Sequence, residues 1–116
     1  MQIHIMKLNP IPFKQIYNKT KTYEGRLFDE KRQQIEIGDI IEFHNTENEN
    51  EFFKVKVLNL LKFKTFEEIA KNLPSESLGF KGCSIKQIVD AYHEFYSIER
   101  EKQYGALAIQ IELLQN

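Results

Sequence analysis

Two apolar periods run along this chain, one of about two residues and one of about 3.6, and they divide it into strands and helices. Residues Gln2–Leu8 alternate loosely and predict a first strand. Asn9-Pro10-Ile11-Pro12 ends it, because proline has no N–H for a ladder. Pro12 suits the first turn of a helix, Pro12–Tyr17, in which Phe13, Ile16 and Tyr17 share one face. Asn18 is placed to close that helix in a left-handed conformation. Lys21–Leu27 reads as the next extended segment, and Ile37-Gly38-Asp39 as a tight turn into the strand Ile40–Phe43. The polar run His44–Glu51 reads as a hairpin loop before a long strand, Phe52–Phe63, with Phe53, Val55 and Val57 inward. The alternation slips at Leu58-Asn59-Leu60-Leu61, which predicts a bulge or bend.

The period then lengthens. Thr65-Phe66-Glu67-Glu68 and Ser84-Ile85-Lys86-Gln87 are capping boxes, each pairing a hydroxyl with a carboxylate or amide three residues on. The first starts a helix, Phe66–Leu73, with Phe66, Ile69, Ala70 and Leu73 as its stripe. Pro74–Gly82 is a loop, and the second box starts a helix over Ile85–Tyr96, with Ile88, Tyr92 and Phe95 at the centre of the buried stripe. Ser97–Gln103 adds one more helical turn, Gly105 breaks it, and Leu107, Ile109, Ile111 and Leu113 alternate as a final strand. This order predicts an α+β fold with about three helices, and a first and last strand enclosing helices suit a mixed sheet curled into a barrel.

Composition narrows the class. A chain of 116 residues, 41% of them hydrophobic, suits a single domain spanning residues 1–116 around one core. The longest apolar runs, such as Ala106–Ile109, fall far short of the roughly 20 residues a membrane span needs. The first residues lack the layout of a signal peptide, and Cys83 is alone, so no internal disulfide is expected and the cytoplasm is the expected compartment. A lone loop thiol reads as passive rather than nucleophilic. The net charge of −1 gives no overall pull on nucleic acid. Basic residues nevertheless outnumber acidic ones from Lys14 to Arg32, and Lys54–Lys64 carries lysines and no acid. Such stretches either gather on one face or are ordinary solvated strand surfaces. His4, His44 and His93 are dispersed, so no metal site is expected, and no glycine-rich phosphate loop or other cofactor motif is present.

The candidate chemistry lies in Lys21-Thr22-Tyr23-Glu24-Gly25-Arg26-Leu27. Strand alternation puts Thr22, Glu24 and Arg26 on one face: a hydroxyl, a carboxylate and a forked guanidinium. Facing a cleft, that set can read the edge of a nucleobase or hold a phosphate. Facing solvent, Glu24 and Arg26 form a surface ion pair worth roughly 0–1 kcal/mol. Lys21 opens the strand, where a twist or bulge brings its ammonium to the same side. Tyr96 and Tyr104 either stack on a base or sit in the core. Glu76 lies in the loop after the second helix and reads as a solvated glutamate.

These residues, with the preceding short helix, the following Gly38-Asp39 turn and the aromatic Tyr92…Tyr96 and Tyr104-Gly105 segments, resemble the ASCH family of the PUA-like superfamily. The resemblance runs from about Lys7 to about Ile111. It implies a PUA-like curved sheet or β-barrel whose Lys-Thr-x-Glu-x-Arg strand lines a ligand cleft. It also implies binding of RNA or of a nucleotide or nucleoside, including modified ones, with Thr22, Arg26, Tyr96 and Tyr104 as ligand contacts. The alternative it implies is a small hydrolase acting on RNA or an acylated or otherwise modified nucleoside, with Lys21 and Glu24 as acid and base; some hydrolytic members carry an acid in the loop that holds Glu76 here. One hydrolytic branch of the family uses a threonine nucleophile where this chain has Glu24, so that particular activity does not carry over directly.

Overall fold

A computed structural model describes residues 1–114. Five strands form one mixed sheet, curled into a half-barrel: β1 (Ile3–Leu8), β2 (Tyr23–Leu27), β3 (Ile40–Asn45), β4 (Asn48–Phe63) and β5 (Ala106–Leu113). Their spatial order is β1-β3-β4-β5-β2, with β1 parallel to β3 and every other pair antiparallel. The edge strands are therefore β1 and β2. One bond spans the gap between them, from Arg26 Nη2 to the Lys7 carbonyl at 2.9 Å.

The curl follows from the strand sequences. In β4, Phe53, Val55 and Val57 point inward as the alternation requires, and the ladder with β5 shifts between Val57 and Asn59, at the predicted slip. The extra residue, Leu58, turns outward and lets the rest of the strand bend around β5. The hairpin loop is shorter than the polar run suggests: β3 reaches Asn45 and β4 starts at Asn48, because polar side chains are tolerated where the ribbon projects into solvent.

Burial divides into two clusters on the two faces of the sheet, where the composition suggested one core. Met6, Phe13, Ile16, Phe43, Val55, Leu107, Ile109 and neighbours fill the inside of the curl beneath α1 (Pro10–Tyr17). Leu27, Phe66, Ile69, Leu78, Ile88, Tyr92, Ala106 and Ala108 form the other cluster, beneath α2 (Phe66–Asn72) and α3 (Ile85–His93). β5 serves both faces: its leucines and isoleucines fill the curl, and its small alanines let the helices approach the opposite side.

Among the described residues there are four α-helices rather than about three. α3 stops at His93, and α4 (Ile98–Tyr104) begins anew behind Ser97, whose hydroxyl accepts from the Arg100 N–H. The bend after His93 rotates Phe95 out of the stripe, so Phe95 is 68% exposed while Ile88 and Tyr92 are buried. α1 starts at Pro10, earlier than expected, since both prolines fit its first turn. The left-handed residue after it is Lys19, at φ 66°, while Asn18 stays right-handed. Thr65 makes only half of its box, and the neighbouring Phe66 N–H is taken by the buried Glu101 of α4 at 2.7 Å. The Ser84–Gln87 box is complete.

Asp39, in the turn before β3, ties the first residues to the sheet. Its carboxylate accepts from the Gln2 N–H (3.0 Å), the Glu36 N–H (2.9 Å) and His4 Nε2 (2.8 Å). Burial opposes its charge, but these donors outweigh burial and hold it at about 2, below the ordinary 3.8. A depressed carboxyl contributes stability above its unfolded value and loses it as pH falls through its folded value. Asp39→Ala should therefore cost about 1–3 kcal/mol in chemical denaturation at neutral pH, by stranding its donors. It should also flatten the loss of stability between pH 3.8 and about 2. Phe95→Ala, by contrast, should shift stability by no more than about 0.5 kcal/mol, because the ring is solvated.

Candidate functional site

β2 carries the candidate residues, and its pairing with β5 fixes their direction: Glu24 lies opposite Ile109 and Arg26 opposite Leu107. Both side chains emerge on the side of the open edge between β1 and β2. Lys21 precedes the strand, yet its ammonium reaches Glu24 Oε1 at 3.1 Å and donates to the Leu78 carbonyl at 2.9 Å. Arg26 Nε donates to Glu24 Oε2 at 2.7 Å. The Glu24 carboxylate is thus held between two cations, each on its own oxygen. This is not the solvated surface pair that the strand pattern allowed, because Lys21 and Glu24 are both 6% exposed.

Two glycines make the arrangement fit. A Cβ at Gly25 would collide with the Tyr92 hydroxyl and ring, so only glycine lets that ring lie against the strand between Glu24 and Arg26. Gly79 takes φ 86°, and a Cβ there would meet Gln15 and the Lys21 stem. Tyr92 is itself clamped, stacked on Phe66 at 4.5 Å between centroids and edge-on to Phe80 at 5.5 Å.

The electrostatics follow from burial against pairing. Burial alone would push the Glu24 carboxyl up, but Lys21 and Arg26 reverse that, and its pKa falls below the ordinary carboxylate value. Burial likewise works against the Arg26 charge, and Glu24 and then Tyr96 more than restore it. Burial raises the Tyr92 and Tyr96 hydroxyls, so both are neutral at physiological pH. The Tyr92 hydroxyl is buried and has no hydrogen-bond partner among the described residues.

Above this triad opens a cleft of about 400 Å³. Its floor is Lys21, Glu24, Gly25 and Arg26, and its walls are largely apolar: Leu8, Ile11 and Pro12 on one side, Tyr92, Phe95 and Tyr96 on the other. The structure thus brings Lys21, Glu24, Arg26 and Tyr96 together. It places Thr22 elsewhere: β2 begins only at Tyr23, so the alternation does not extend back, and Thr22 lines a separate depression with Lys19 and Leu58. Tyr104 also lies apart from the cleft, donating to Glu30 at 2.6 Å with the Arg100 guanidinium over its ring. Glu76 sits exposed on a short 3-10 turn and does not line the cleft.

The walls were not apparent from the sequence. Phe80 and Leu78 lie in a segment with no periodicity, and Phe95 reads there as core. The one available signal was Gly25, a lone glycine inside a strand, which marks close approach of another group. Among the described residues, no cluster of three or more His, Cys, Asp or Glu side chains could hold a metal ion.

A curled mixed sheet with a charged, aromatic-walled cleft at its open edge defines a small α+β half-barrel domain. The profile of the ASCH domain matches residues 6–115, and the chain belongs to that family. It is similar to the crystal structure of the hypothetical protein PH0355, at 37% identity and TM-score 0.86, over 98% of this chain and 100% of that one. It is also similar to the solution NMR structure of protein PF0455 from Pyrococcus furiosus, at 34% identity and TM-score 0.79, over 100% of both chains. No curated protein matches the sequence.

Removing the carboxylate leaves two buried cations facing each other. Glu24→Ala should therefore destabilise the fold by about 3–5 kcal/mol in urea or guanidinium denaturation. Because the folded Glu24 pKa is lowered, the pair's contribution is complete above the ordinary carboxylate value and disappears as pH falls through the folded one. The difference between wild type and Glu24→Ala should accordingly shrink in acid. A difference that is constant from neutral to strongly acidic pH would show that Glu24 does not act through its charge.

Proposed function

We propose that residues 1–116 act as a single ASCH domain that binds RNA, or a nucleotide or nucleoside, modified ones included, in the cleft at the open edge of the sheet. The observation that carries this reading is the Glu24 carboxylate, paired and buried between Lys21 and Arg26, at the floor of a cleft with aromatic walls. A flat heterocycle needs both features: apolar faces to lie between, and fixed polar groups along its edge. Arg26 orients the ligand or its phosphate, Glu24 accepts from a donor on it, Lys21 supplies positive charge, and Tyr96 packs beside the ring. The volume suits one base or nucleoside. The net charge of −1 also fits a single recessed site better than a groove that neutralises many phosphates. No described helix is long and apolar enough to cross a membrane, and a cytoplasmic setting, read from the lone Cys83, belongs to the same proposal.

A second reading, hydrolysis with Lys21 and Glu24 as acid and base, draws on their 3.1 Å contact inside the cleft. The depressed Glu24 pKa counts against it, since a carboxylate held ionised by two cations is a weak base. Binding is therefore the function we assign.

A thermal-shift screen of nucleosides, modified nucleosides and short RNAs tests this directly, because a ligand of the folded form must raise its melting temperature. At least one member should do so, and Arg26→Lys, which keeps the charge but loses the fork, should cut the shift severalfold. A flat screen, or an equal shift with Arg26→Lys, would contradict the assignment. Glu24→Gln separates the second reading: a hydrolase would lose at least roughly a hundredfold in turnover, while a binder shows turnover in neither form.

A further inference from the structure

The hydrogen-bonding capacity left over on the cleft floor has a definite order. Glu24 Oε1 holds Lys21 Nζ and Oε2 holds Arg26 Nε, so each oxygen has used one acceptor site and keeps another. Lys21 spends two of its three hydrogens, on Glu24 and on the Leu78 carbonyl, and keeps one. Arg26 spends Nε on Glu24 and one Nη2 hydrogen on the Lys7 carbonyl, and the Tyr96 hydroxyl lies beside the guanidinium, which still keeps hydrogens to spare. Across the floor, the unspent groups therefore run donor, acceptor, donor: ammonium, carboxylate, guanidinium. The sum of their charges is positive. The side chains are fixed by burial and by one another, so the order is built into the floor before a ligand arrives.

We propose that this floor reads a cyclic imide edge, the ring N–H flanked by two carbonyls that uracil-type bases present. This rests on the nucleobase-binding reading above and adds the class of base. The two carbonyls accept from Lys21 and Arg26, and the ring N–H donates to Glu24. A cytosine-type edge has an acceptor where the imide has its N–H, and an amino group where the imide has a carbonyl. It would set a lone pair against the carboxylate and a donor against a cation. The apolar walls around the floor, among them Leu8, Pro12, Leu78, Phe80, Tyr92 and Tyr96, suit ring faces rather than a bare oxyanion, which would lose its hydration between them.

The test is isothermal titration of the wild-type protein with uridine, cytidine, uridine methylated at the imide nitrogen, and inorganic phosphate. Uridine should bind at least about tenfold tighter than cytidine or the methylated uridine, and phosphate should neither match nor displace it. Glu24→Gln should narrow the gap between uridine and cytidine, since an amide can donate as well as accept. Equal or tighter binding of cytidine, or of the methylated uridine, would overturn the imide assignment and leave nucleobase binding standing. Phosphate binding as tightly as uridine would overturn it in favour of an oxyanion site. If no nucleoside binds at millimolar concentration and a mixed-sequence RNA also fails, both this inference and the binding function fall. If nucleosides fail but the RNA binds, the imide reading alone falls.

Discussion

The site depends on one buried carboxylate. Glu24 lies on an edge strand, where a side chain would ordinarily face water, yet it is almost wholly enclosed. An ionised carboxylate in that position is tolerable only because Lys21 and Arg26 approach its two oxygens separately. Each partner is in turn committed to backbone from a different part of the chain. Lys21 donates to the turn before α3 and Arg26 donates to β1, so one ion triad gathers the loop, both sheet edges and the helix layer. Buried ion pairs of this kind add little net stability compared with apolar packing of the same shape. Their presence in a small domain therefore points to a use, and the use on offer is a preset pattern of donors and acceptors.

Other parts of the fold position that pattern. The Ala106 and Ala108 side chains of β5 leave room for α2 and α3 to come close, and the close approach lays Tyr92 over Gly25. Glu101, reaching from α4, holds the start of α2 through the Phe66 N–H and meets His93 at the end of α3. The break between α3 and α4 is thereby pinned, and it is this break that turns Phe95 and Tyr96 toward the cleft. On the other wall, α1 follows β1 with only Asn9 between them, which places Ile11 and Pro12 at the rim.

Much of this was legible in the sequence. Alternation together with turn signals located all five strands, and the slip at Leu58 announced the bend in β4. The motif strand named Lys21, Glu24 and Arg26, which the structure brings together. What periodicity could not supply was depth. Whether Glu24 and Arg26 face water or a cleft depends on what packs over the strand, and one whole wall of that cover comes from Leu78 to Tyr96, far along the chain. Helical spacing in the sequence carries the stripe of α3 on to Phe95 and Tyr96, while the backbone turns after His93. Thr22 failed to join its neighbours because alternation holds only inside a strand, and this one starts a residue later.

The central claim is that Glu24 is an ionised, enclosed carboxylate that faces the ligand. The most direct measurement is the pH titration of its side-chain carboxyl by carbon NMR, with and without uridine. The midpoint should fall below the ordinary carboxylate range, and the Glu24 signal should shift when uridine is added. A midpoint at or above the ordinary value would contradict the buried, paired state. A signal unmoved by uridine that demonstrably binds would contradict its place at the ligand.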